Sequence, residues 1–312
     1  MDYAITVTGI LLATVGTVIN IISLIFVSRT TCQAGTLAKK VLYIIIVQHS
    51  IDIVACIAYL LSSVDLDEQF PSIFTCRILR TRALFWAAIN YRAYINVYGS
   101  LWQHVRIIYP FWSTVLNRTE GCVGLFLLAT AANILQTLAF TRLSELSADQ
   151  STCIPCTPCQ TGENAGIYSF LVLYSTIYRF AFPAMAMFAS FGYLMQVLSD
   201  CDGKVYRQMY KETRRNLFID AVLFVICLST HEALFTLNVF ASNKEYGLRT
   251  APYEVASLLA LGYPVLSPCF SMCLRKTNYT PVLEAVLRPM DYQKLSKLAI
   301  MWSNYERQKR ES

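Results

Sequence analysis

The chain has 312 residues, 55% of them hydrophobic and 15% charged, with a mean hydropathy of +0.44 and a formal net charge of +6. Soluble domains carry about 25% charged residues, so this composition excludes an ordinary water-soluble domain. Lys and Arg are spread over several segments and form no concentrated basic patch, which excludes a nucleic-acid partner as the reason for the charge.

A bilayer-crossing helix needs about 20 mostly apolar residues. Seven stretches meet that need, at about 4–27, 40–63, 83–107, 121–141, 166–198, 216–240 and 252–274. The first lacks the positive start and small-residue cleavage site of a secretory leader, so it is expected to act as its own anchor. The second carries Asp52. The third is interrupted by Asn90, Tyr91, Arg92, Tyr94, Asn96 and Tyr98. Such a pattern fits a helix that never meets lipid; an extramembrane helix is the alternative. The fourth is clean, the fifth carries Arg179 and Pro183, and the sixth carries Asp220, His231 and Glu232. In the tail, Thr280-Pro281 reads as an N-cap with proline at the first helical position. An apolar stripe of Val282, Leu283, Val286 and Leu287 follows. A second stripe, Leu295, Leu298, Ala299 and Trp302, is flanked by Lys294 and Lys297. It suits anionic membrane lipid, a docking surface or a disordered tail. The expected architecture is all-α: a seven-transmembrane helix bundle over residues 1–276, then a cytosolic tail, 277–312, with a short amphipathic helix.

Basic residues mark the cytosolic side of a membrane protein. Arg29, Lys39, Lys40, Arg106, Arg118, Lys204, Arg207, Lys211, Arg214 and Arg215 follow spans one, three and five. Asp65, Asp67, Glu68, Glu145, Asp149 and Glu163 fall on the opposite side. The N-terminus is therefore expected outside and the C-terminus inside. Cys76, Cys153, Cys156 and Cys159 then face the oxidising compartment. Four cysteines allow three pairings. Two disulfides, or one disulfide with two free thiols, both fit. The "CIPCTPC" run resembles a zinc motif, but zinc wants four ligands in two separated pairs and no His lies near on that face. No metal and no cofactor is implied.

Several motifs carry a family resemblance. Asn20 in "GTVINIISL", Asp52 in "VQHSIDIVA" and Pro183 in "FAFPAMAMF" stand where they would in rhodopsin-like G-protein-coupled receptors. So does a cysteine just before span three that faces cysteines after span four. "SPCFS", Ser267 to Ser271, holds the place of N-P-x-x-Y and keeps only Pro268. "CLST" holds the place of C-W-x-P and keeps only Cys227. "WQHVRIIYP" keeps the spacing from D-R-Y to a proline, Pro110, so Trp102, Gln103 and His104 occupy the D-R-Y place. In the family that arginine meets the G protein. Gln103 can hydrogen-bond there without a charge. Arg106 lies three residues on, on the same helix face, and either substitutes or is an interfacial snorkelling arginine.

The resemblance implies a plasma-membrane receptor, multi-pass, that binds an extracellular ligand and signals to a heterotrimeric G protein. Asp52 and Arg92 each lie twelve residues from the cytosolic edge of their spans, about 18 Å deep at 1.5 Å per residue. They are expected to pair, with the Arg92 guanidinium in the place where the family holds a sodium ion. Arg92 facing a water cavity is the alternative. Arg179 and Glu232, with His231, fall where the family lines its ligand pocket, as do Phe85 and Trp86. They form an empty-state ion pair, bind a ligand carboxylate and amine, or serve structure alone. Phe85 stands at the place of the amine-binding aspartate, which argues against biogenic amines. No lysine lies in span seven, so no retinal Schiff base forms. A peptide or small polar ligand remains, and the Arg77, Arg80, Arg82 group suits a charged one. Asp220 has two candidate environments, the basic Arg214 and Arg215 or Asn96 and Tyr98. No nucleophile or carboxylate stands beside His104, and His49, His104 and His231 are scattered, so no enzyme is expected. The competing readings are a chemosensory or non-signalling protein on the receptor fold, or a transporter. The internal repeats and paired Gly/Pro interruptions typical of transporters are not seen in the sequence.

Overall fold

The computed structural model describes residues 3–33, 36–64, 72–108, scattered positions between 124 and 137, 144–146, 153–155, 165–199, 204–240 and 250–275. The helices are α1 (Tyr3–Gln33), α2 (Thr36–Ser63), α3 (Ala83–Ile108), α4 (Ala165–Thr176), α5 (Phe182–Ser199), α6 (Lys204–Phe240) and α7 (Ala251–Arg275). The described positions between 124 and 137 are also helical. Two wide π-helical turns, Thr75–Leu79 and Ile177–Ala181, precede α3 and α5. A small antiparallel hairpin pairs β1 (Ser144–Leu146) with β2 (Cys153–Pro155). The tail 277–312, with its two apolar stripes, lies outside the described residues, as do Cys156 and Cys159.

Three helical stretches, Ala4–Arg29, Leu42–Ser63 and Phe218–Leu237, are long and apolar enough to cross a membrane. Surface chemistry agrees with that. Leu11, Phe26, Met185 and Ile226 are each more than 60% exposed, whereas Asn20, Asp52, Arg92 and Glu232 are buried. Water would penalise so much outward apolar surface. A bilayer rewards it and drives polar groups inward. The chain is a membrane-embedded helical protein.

Helix α1 lies on α2 and α7, α2 on α3 and α7, α3 on α5, and α6 on α5 and α7. Small residues allow the closest approaches, as in other helix pairs packed without a hydrophobic driving force. A Cβ on Gly16 would come within 2.6 Å of Val265 Cγ2 and 3.0 Å of Cys56 Sγ. The polar residues of α3 are used between helices. Asn90 donates to Asn133 Oδ1 at 3.0 Å and Tyr91 to Thr130 Oγ1 at 2.9 Å, both in the fourth helical stretch. Tyr94 donates to the Tyr178 carbonyl at 3.2 Å.

Prolines shape α5 and α7. A helical proline has no N–H for the carbonyl four residues back and crowds it. Pro268 in α7 therefore leaves the Pro264 carbonyl without its usual donor. Asn20 of α1 supplies one, at 2.9 Å, and also donates to the Gly16 carbonyl at 3.0 Å. His49 Nδ1 lies 3.0 Å from Asn20 Oδ1, so one asparagine joins α1, α2 and α7. Pro183 does the same to the Arg179 carbonyl, and the chain widens there into the second π turn.

Candidate functional site

Buried ionisable residues collect in two tiers. The deeper one joins α2, α3, α6 and α7. Arg92 Nε donates to Asp52 Oδ1 at 3.1 Å and to Oδ2 at 3.2 Å. Its Nη2 donates to Ser267 Oγ at 2.9 Å and its Nη1 to Asn96 Oδ1. Asn96 also accepts from Gln48 Nε2 at 2.8 Å and donates to the Tyr263 hydroxyl. Ser267 then donates to Asp220 Oδ1 at 3.2 Å. Three of the guanidinium's five N–H donors are thus directed at named acceptors. The Asp220 carboxylate extends the network to α6, so one guanidinium serves two carboxylates. Asp220 thereby joins the network that holds Asn96, one of its two expected environments, through Ser267 and Arg92; the side chains of Arg214 and Arg215 lie outside the described residues.

The second tier lies nearer the start of α3. Trp86 precedes Arg92 by six residues, about 9 Å along a helix axis. Arg179, from the π turn before α5, is ion-paired with Glu232 of α6. Its Cζ stands 4.9 Å from the Trp86 ring centroid and 5.7 Å from that of Phe235, close enough for cation–π attraction. Arg179 Nη2 is 3.3 Å from His231 Nδ1. A guanidinium only donates, so Nδ1 accepts and the single ring proton sits on Nε2. The His231 ring lies over Trp86 at 3.7 Å between centroids, with Tyr253 of α7 at 5.3 Å. Phe85 is wedged between Trp86 and Tyr59, at 4.8 and 5.4 Å. The structure therefore brings Phe85, Trp86, Arg179, His231 and Glu232 into one cluster, all of them buried.

A second ion pair adjoins this cluster. Arg82 Nη2 donates to Glu254 Oε2 at 2.5 Å, and the Arg82 Cζ stands 4.6 Å from the Tyr59 ring. Sequence reasoning groups Arg82 with Arg77 and Arg80 at an open mouth, whereas the structure buries it against α7. Glu254 is the residue that reasoning misses. An acid in a first helical turn ordinarily reads as a dipole partner, so only its place in a sparsely charged stretch hinted at more. Arg82 has φ 55°, the only non-glycine in the left-handed region among the described residues. That conformation costs about 1–2 kcal/mol, and the ion pair lies on the side chain it positions.

Six residues before Arg82, Cys76 forms a disulfide with Cys153, with a Cα–Cα distance of 5.3 Å. It fastens the first π turn to the hairpin and is one of the pairings that the four cysteines allow. At the other end of α3, Gln103, His104 and Arg106 fall in its last turns, and their side chains lie outside the described residues.

A scan against protein-family models returns no match for the chain, and a search of curated proteins returns none either.

Proposed function

We propose that the chain is a seven-span plasma-membrane receptor of the rhodopsin-like kind, with its N-terminus outside. It takes a peptide or small polar ligand at the disulfide end and signals to a heterotrimeric G protein at the other. The observation that carries this reading is the Arg179–Glu232 pair, which bridges the π turn of α5 to α6 inside an aromatic cluster. A ligand that takes one partner of that pair changes what holds the two helices together. Such differential interaction with two arrangements is what a ligand needs in order to shift their populations. Support also comes from the Cys76–Cys153 disulfide, from Asn20 bonded to the Pro264 carbonyl of α7 and from Asp52 beside Arg92. In this reading the Arg92 guanidinium replaces a bound sodium ion, so ligand affinity is independent of sodium. A clear sodium effect abolished by Asp52→Asn overturns that part.

The test begins with epitope tags at both termini. The N-terminal tag is accessible on intact cells and the C-terminal tag only after permeabilisation. Ligand libraries are then screened across G-protein reporters, and Arg179→Ala and Glu232→Ala each weaken the agonist response. Unaltered potency in both removes this pair from the ligand site. Tags accessible from the same side defeat the receptor reading as a whole. Gln103, at the place of the family's arginine, favours one second reading: a chemosensory or non-signalling protein on the same fold. Ligand binding without a response through any G-protein class selects it.

A further inference from the structure

We infer that the ligand of the disulfide-end site is a small zwitterion, carrying one carboxylate and one ammonium group; this rests on the reading above for the place of the ligand. Four charged side chains surround the site, Arg82 and Arg179 against Glu232 and Glu254, and all are at least nine-tenths buried. His231 adds no charge, because its Nδ1 accepts from Arg179. The site is thus electrically balanced. A ligand with a net charge would bring an uncompensated charge into a medium that screens it poorly. A zwitterion brings none.

The hydrogen-bond capacity left over has the same two signs. Arg82 Nη1 is a buried donor with no hydrogen-bond partner among the described residues, and Glu232 Oε2 is a buried acceptor in the same position. A carboxylate satisfies the first and an ammonium the second. Ser257, one turn from Glu254 on α7, adds a buried hydroxyl that also lacks a partner among the described residues. The two ends belong to one cluster: Arg82 stands over the Tyr59 ring, Tyr59 meets Phe85, and Phe85 meets Trp86 beneath Arg179. Trp86, His231 and Tyr253 form the aromatic part of that cluster. The left-handed backbone at Arg82 fits this role. Strain of this kind persists where the surrounding structure enforces it, and it concentrates at ligand clamps.

The experiment uses the purified full-length protein in lipid nanodiscs. Its thermal unfolding is recorded with each of the free L-amino acids and with the matching N-acetyl and methyl ester forms, which remove one charge each. At least one free amino acid is expected to raise Tm saturably, with both blocked forms at least tenfold weaker. Glu232→Gln is expected to shift preference towards the N-acetyl form and Arg82→Gln towards the ester. If a blocked form binds as tightly as its parent, or if no amino acid shifts Tm at millimolar concentration, the zwitterion is refuted. Both results concern binding alone. The receptor reading stands or falls on terminal tags and G-protein reporters, which use none of these probes.

Discussion

Arg92→Leu and Asp52→Leu are expected to differ in cost, although they break the same ion pair. After Asp52→Leu, Arg92 still faces Asp220 through Ser267, and it keeps its bonds to Ser267 and Asn96. After Arg92→Leu, Asp52 is fully buried without a counter-charge and Asp220 loses the cation that balances it. Removing one partner of a buried pair costs about 3–5 kcal/mol. The structure places Asp52→Leu near the lower bound and Arg92→Leu at or beyond the upper. Asp52→Leu/Arg92→Leu removes both charges of the pair, a replacement that is often nearly neutral in itself, and leaves only Asp220 without its cation. The double variant should therefore be more stable than Arg92→Leu, with a coupling of about 2 kcal/mol or more. The assay is reversible unfolding in mixed micelles titrated with dodecyl sulfate and followed by tryptophan fluorescence. Equal single costs that simply add in the double variant would show that the pair is not the unit described.

Other expectations are independent of this network. Gly16→Ala places a methyl group within 2.6 Å of Val265 Cγ2 and should destabilise by about 1–3 kcal/mol through overpacking; a Tm equal to wild type would refute the close approach of α1 to α7. Arg82→Gly and Arg82→Ala both lose the Glu254 bond, but only glycine is at ease at φ 55°. Arg82→Gly should be the more stable of the two by about 1 kcal/mol, read by the same unfolding titration. Cys153→Ser opens a cross-link spanning 77 residues, worth about 4.5 kcal/mol by chain entropy. Cys76→Ser should lower Tm equally, and unequal effects would assign a separate role to one thiol.

Much of this arrangement is legible in the sequence because charges are scarce in apolar stretches. Asp52 and Arg92 can be matched by depth, counting residues from the ends of their spans, together with the receptor resemblance that sets those spans side by side. Arg179 and Glu232 can be placed relative to Pro183 and Cys227. The partners that complete each tier are harder to see. Ser267 and Tyr263 are ordinary side chains until α7 is set against α3, where both meet Arg92. Asp220 depends on the axial register of α6 against α7, which apolar periodicity does not specify. Arg82 and Glu254 are far apart in sequence and lie near helix ends, where charges are usually solvated. The π turns have no residue signature of their own beyond a proline that follows one of them.

The Pro264 carbonyl has its consequence in how the bundle can move. Its donor comes from α1, so parting α1 from α7 would strand a peptide oxygen in a medium without water to take it. Asn20 also meets His49 of α2, so that one oxygen is bound up with the packing of α1, α2 and α7 together. A rearrangement that keeps these bonds falls on the opposite wall. There α5 begins at a widened turn, and α6 is fastened to its neighbours by ion pairs and hydrogen bonds that other groups can replace.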